Sequence, residues 1–172
     1  MLGSLSVFFA FLVCSMDVSL ANTKFVSFQL LAGYSSMPPT AIVLLGNFLS
    51  STQTSGISRH AEELREHLST LADMIAEFPE LRAKTRFVIV PGPQDPGFPL
   101  VFPRPALPDH VTKDFRKKVP NVFFGSNPCR IQYCSQVTSF IRRDSTCCVT
   151  TLGRSLIQKP LLFSSLQVDS VY

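Results

Sequence analysis

Charge is scarce in this chain: only 16% of its 172 residues are Asp, Glu, Lys or Arg, while 45% are hydrophobic. That balance excludes a self-repelling disordered polymer and suits one globular domain with enough chain for a core. No Lys or Arg precedes Lys24, so the apolar run Leu5–Cys14 (LSVFFAFLVC) lacks the basic flank of a secretory leader. Ser19-Leu20-Ala21 nevertheless has the small-x-small form of a cleavage site, which leaves residues 1–21 open between a signal peptide and a buried strand ending at Asp17. The run is too short to cross a bilayer, and no membrane association is expected. Five cysteines form no framework spacing, which fits reduced thiols better than a disulfide scaffold. Internal repeats and heptads are absent too.

Several chemistries lack their residues. Gly92-x-x-x-x-Gly97 is not followed by the Lys-Ser/Thr of a phosphate-cradling loop. No Ser-His-Asp arrangement is suggested. Cys129 and Cys134 are five apart, so an extended strand points them to opposite faces, and the adjacent Cys147-Cys148 match no zinc half-site. His60 and His67 share one side of a helix with no third ligand spaced to them, so both are expected to face solvent. No metal and no cofactor is therefore expected.

What is present is an alternation of short apolar runs with helical patterns, an α/β signature. Leu5–Val13 reads as a first strand, Lys24–Ala32 as a helix closed by Gly33, and Ala41–Leu45 as a second strand closed by Gly46-Asn47. Ala61, Leu64, Leu68, Leu71, Ile75 and Phe78 recur at helical spacing and predict a helix over Ser58–Phe78, ended by Pro79. Glu62, Glu63 and Glu66 lie early in it, where the helix dipole favours negative charge. Phe87–Val90 is a third strand, apolar throughout and so expected to be buried on both faces. Strand, helix, strand makes a parallel βαβ core, which brings Gly46-Asn47 and Pro93-Gln94-Asp95 to one edge of the sheet. Asp17 joins them if the first strand is parallel.

Further on, Pro108–Val119 predicts a short helix capped by Asp109, with Val111 and Phe115 inward. Asn121–Phe124 and Arg130–Gln136 read as strands around the turn Gly125–Pro128. After Val137 the pattern weakens, and Thr146–Thr150 and Leu161–Phe163 are apolar fragments without clear partners. Thirteen prolines, clustered between Pro91 and Pro128, limit helix in that region. Asp17 and Asp95 read most simply as turn residues bonding their own backbones. Lys113, Arg116, Lys117, Lys118 and Arg130 belong to a basic segment that could follow a phosphate backbone, or form an ordinary solvated face. The net charge of +4 does not decide between them.

LLGNF (Leu44–Phe48), EFPEL (Glu77–Leu81), RFVIVPGPQDPG (Arg86–Gly97), FPRPAL (Phe102–Leu107) and NPCRIQYC (Asn127–Cys134) resemble the B-subunit family of DNA polymerases, in its polymerase epsilon branch. The likeness covers about Asp17–Gln136. It implies a calcineurin-like phosphoesterase sandwich that is catalytically inactive. Active enzymes of that fold present Asp-x-His, Gly-Asp and Gly-Asn-His-Asp/Glu after successive strands to hold two metal ions. Here those places read Asp17-Val18-Ser19, Gly46-Asn47 and Gly92-Pro93-Gln94-Asp95. Asp17, Ser19, Asn47, Gln94 and Asp95 are thus expected to be vestigial metal-site positions, since one or two carboxylates cannot hold two divalent ions.

The resemblance also implies a nuclear accessory role in DNA replication, with the C-terminal module of the polymerase epsilon catalytic subunit as partner and DNA reached through the complex. Family members carry an OB-fold domain that this sequence lacks, and the zinc module belongs to the catalytic subunit. Residues 1–136 are then the N-terminal part of the phosphoesterase-like domain and 137–172 a divergent, poorly ordered or non-family tail. Half the sandwich would be missing, leaving apolar surface and sheet edges exposed and the isolated chain marginally stable. An active metal-dependent phosphoesterase and a small secreted protein are the two alternatives.

Overall fold

The computed structural model describes residues 9–10, 21–49, 57–95, 102–133, 136–143, 146–153 and 167–170. Its elements run β1 (Phe9–Ala10), α1 (Ala21–Ser35), β2 (Ala41–Leu45), α2 (Ile57–Ala76), α3 (Pro79–Lys84), β3 (Arg86–Val90), α4 (Asp109–Lys118), β4 (Val122–Phe124), β5 (Cys129–Tyr133), β6 (Gln136–Arg143), β7 (Thr146–Gly153) and β8 (Gln167–Ser170). Strands β1-β2-β3-β4 form a parallel sheet in that order, and β7-β6-β5-β8 form an antiparallel one. The α/β class and the parallel βαβ core read from the sequence are therefore present.

The alternation of side chains along β2 and β3 sorts the core into two layers. Ile42, Leu44, Phe87 and Ile89 meet Leu64, Leu68, Leu71 and Ile75 of α2, with Val111 and Phe115 of α4. Val43, Leu45, Val88 and Val90 face the other way, onto Cys129 and Ile131 of β5 and Phe140 of β6. Every residue from Phe87 to Val90 is fully buried. The burial of β3 on both faces agrees with its unbroken apolar run: α2 and α4 cover one face, and β5 and β6 cover the other. Each large buried side chain in these layers stabilises the fold by about 1.5–3 kcal/mol.

Element ends differ from expectation for local reasons. Helix α1 runs through Gly33 to Ser35, whose hydroxyl donates to the Ala32 carbonyl at 2.6 Å. Pro79 does not simply stop α2; after the turn at Glu77 it opens α3 as its first residue, where its missing N–H costs nothing. Asp109 caps nothing: Pro108 holds the cap position, and Asp109 is the first residue of α4. Because α2 starts at Ile57, its first turn holds no acidic residue, and Glu62, Glu63 and Glu66 lie beyond the reach of the dipole.

The expected boundary at Gln136 falls at the first residue of β6. Thr146–Thr150 is part of β7, which pairs with β6 from Gln136↔Gly153 to Arg143↔Thr146. Leu161–Phe163 lies outside the described residues. Peptide bonds Phe102–Pro103 and Asn127–Pro128 are cis.

Candidate functional site

The in-phase register of β2 and β3, Leu45↔Val90 at its end, delivers two loops side by side at the C-terminal edge of the sheet. The Gly46 amide still donates to the Val90 carbonyl, at 2.8 Å, so the loops begin as a continuation of the ladder. Contact is close enough to demand glycine. A Cβ on Gly46 would lie 2.7 Å from the Gly92 nitrogen, and one on Gly92 would lie 2.6 Å from the Asn47 nitrogen. Both obstacles are backbone, which cannot swing away.

Side chains then tie the loops together. Asn47 Oδ1 accepts the Gln94 N–H at 3.1 Å. Asp95 Oδ1 accepts the Phe48 N–H at 2.6 Å and the Leu49 N–H at 3.3 Å, while Oδ2 accepts the Gly92 N–H at 2.7 Å. Asp95 is thus more than a turn residue bonding its own backbone: it bridges two loops 47 positions apart. Burial pushes its carboxyl up to about 6, against the pull of the three N–H donors and the nearby Arg104. Of the expected site residues the structure brings Asn47, Gln94 and Asp95 together, with Gln94 exposed and the other two buried. Asp17 and Ser19 lie outside the described residues.

Two residues at this edge were not singled out from the sequence. Arg104 is buried, and its guanidinium donates to the carbonyls of Pro93 and Asp95. Burial lowers the pKa of Arg104, with the Asp95 carboxylate opposing. Asn127 is fully buried. Its Nδ2 donates to the Pro91 and Arg142 carbonyls at 3.0 and 2.8 Å, and its Oδ1 accepts the Arg142 N–H at 3.1 Å. Backbone bonds of 2.7 and 2.8 Å join Arg104 and Asn127 to each other. One amide side chain therefore links the loop after β3 to strand β6 of the other sheet. The available signal was positional: Arg104 and Asn127 stand inside FPRPAL and NPCRIQYC, polar groups in apolar and proline-rich surroundings.

The basic candidates do not form one patch. Lys113, Arg116, Lys117 and Lys118 lie on α4, on the helical side of the parallel sheet, whereas Arg130 is exposed on β5 on the opposite side. Lys117 pairs with Asp114 at 3.2 Å and Lys118 with Asp73 at 2.6 Å, while Arg116 lies 3.8 Å from Asp109. The histidines also differ from expectation: His60 and His67 are half-buried, and His60 Nε2 and His67 Nδ1 are shielded without a hydrogen-bond partner. Among the described residues no three His, Cys, Asp or Glu side chains converge as a metal site would need. No described helix is long and apolar enough to cross a membrane.

A family model for the B subunit of DNA polymerase alpha/epsilon matches residues 11–164. The chain belongs to the DNA polymerase alpha/epsilon B-subunit family. Its relatives there include DNA polymerase epsilon subunit 2 of Homo sapiens, 47% identical over 66% of this chain and 21% of the relative. The Mus musculus protein of the same name is 44% identical over 81% of this chain and 25% of the relative. DNA polymerase epsilon subunit 2 of Drosophila melanogaster is 39% identical over 67% and 21%. The chain thus spans a fifth to a quarter of the length of these relatives. The family match runs past Gln136, through β6 and β7.

Proposed function

We propose that this chain acts as a non-catalytic accessory piece of DNA polymerase epsilon, an inactive calcineurin-like phosphoesterase sandwich that scaffolds the catalytic subunit in nuclear DNA replication. One observation carries the inactive reading. The oxygens at the sheet edge that metal ions would require, Asn47 Oδ1 and both Asp95 oxygens, already accept backbone N–H groups. A hydrolytic centre needs carboxylates and imidazoles open to two cations; here Asn47, Gln94 and Asp95 instead hold two loops in one shape. Asp17 and Ser19 complete the vestigial set in this reading.

Scaffolding follows from rigidity: a surface whose loops are fixed before binding loses little entropy on docking. The names of the relatives support polymerase epsilon as the assembly, with the C-terminal module of its catalytic subunit as the partner. DNA contact, through Lys113, Arg116, Lys117, Lys118 or Arg130, is then a property of the complex more than of this chain.

Co-precipitation with the C-terminal region of the catalytic subunit in moderate salt tests the proposal, with the full-length relative in parallel. Retention is the expected result; loss of binding by this chain alone would remove the scaffolding role. Titration with Mn²⁺ and a generic phosphoester tests the active alternative, and measurable turnover would overturn the inactive reading.

A further inference from the structure

An open pocket of about 740 Å³ on the α2–α4 face is lined by Arg65, Asp109, His110, Lys113 and Arg116. Three cations and an imidazole border it against a single carboxylate. Those cations are held to different degrees. Arg65 is fixed from behind, its Nε and Nη2 donating to Asp114 at 2.8 and 2.6 Å. Arg116 lies over the Phe124 ring at 4.8 Å, and Phe124 is itself set edge-on against buried Phe115 at 5.7 Å. Such stacking orients a guanidinium while leaving its in-plane donors available. Its nearest acceptors are weak, Thr112 Oγ1 at 3.5 Å and an Asp109 carboxylate that is 95% exposed at 3.8 Å. Lys113 has no ion pair or hydrogen bond among the described residues.

We propose that this pocket is a binding site for a single compact phosphate group, held by Lys113 and the stacked guanidinium of Arg116, with Arg65 and His110 at its margin. A tetrahedral oxyanion satisfies a planar fork and a point charge together, and the solvated Asp109 gives way at little cost. The same geometry argues against a track for a run of nucleic-acid phosphates. Lys117 and Lys118, the next cations along α4, are held by Asp114 and Asp73. Arg130 is on the far side of the sheet. The inference does not depend on assembly with the polymerase.

The test is a titration of the isotopically labelled full chain with inorganic phosphate, followed by amide shifts in α4. Saturable shifts centred on Lys113 and Arg116 are expected. Lys113→Ala and Arg116→Ala should each weaken binding by about tenfold, while Lys118→Ala leaves it within about twofold. Titrations with O-phosphoserine and deoxyadenosine 5′-monophosphate then distinguish a phosphorylated side chain from a nucleotide phosphate as the source. Non-saturable shifts, or equal losses in all three variants, would mean general attraction to positive charge and would overturn the site.

Discussion

At the C-terminal edge of the parallel sheet, the side chains of Asp95, Arg104 and Asn127 are buried and contact backbone amides and carbonyls. On the α2–α4 face, the side chains of Arg65, Asp114, Lys117 and Lys118 engage in ion pairs that stay partly open to water. Both regions are polar and both join elements distant in sequence. Their energetics differ because a buried partner cannot be replaced by solvent, whereas an exposed ion pair exchanges with water at almost no cost. The first region specifies the shape of the fold; the second decorates it and stays available for ligands.

Substitutions can break or sharpen that contrast. Gly92→Ala should have the largest effect, about 5 kcal/mol or more, enough to unfold a domain of ordinary stability. Its Cβ must displace the Asn47 backbone; urea unfolding measures the loss, and a near-normal midpoint would show that the loops are not locked together. Asn127→Ala should cost about 3–5 kcal/mol by stranding two carbonyls and an amide, and it should raise hydrogen exchange in β3 and β6 together. Exchange raised in one sheet only would dissolve the claim that Asn127 couples them.

Acidity separates the regions by sign. The folded-state pKa of Asp95 is raised, to about 6. Its favourable contribution is complete below the unfolded value near 3.8 and is lost as pH rises through about 6, by about 3 kcal/mol in all. Asp114 is the reverse: Arg65, by hydrogen bond first, holds its pKa below the ordinary value, so its contribution is present above that value and lost as pH falls. Thermal melts from about pH 2 to 7 in Asp95→Asn should lose the Asp95 slope between about pH 4 and 7 while keeping the acid limb below about pH 4. An unchanged slope would assign the dependence to another group. Smallest of all, Lys117→Ala should alter stability by less than about 0.5 kcal/mol in urea unfolding. A loss of about 2 kcal/mol or more, the mark of a buried group, would erase the distinction between the two regions.

Much of the first layer was legible because β2 and β3 are unbroken apolar runs and α2 carries a clean helical stripe. Those signals are local. Asp95 was legible only as a turn residue, since its partners Phe48 and Leu49 stand 47 and 46 positions away. Nothing near Asp95 announces them. Asn127 was visible inside a motif, but its role depends on Arg142, whose strand begins where the apolar pattern fades. Strand β7 escaped notice for a related reason: Thr146–Thr150 mixes Thr and Cys without alternation, and its pairing with β6 supplies order that its own pattern does not. The divided placement of the basic residues needed the fold, because Arg130 and α4 are neighbours in sequence yet lie on opposite sides of a sheet.

Asn127 has one more consequence, for how the molecule ages. Asparagine side chains are lost slowly when the next residue's backbone nitrogen attacks the amide, closing a cyclic imide and expelling ammonia. Here the next residue is Pro128, whose nitrogen bears no hydrogen to give up. The other asparagine of the edge, Asn47, is followed by Phe48, and that nitrogen's hydrogen is held by Asp95 at 2.6 Å. The two amides on which the loop geometry rests are thereby well shielded from spontaneous deamidation, and the edge keeps its chemistry for as long as the chain stays folded.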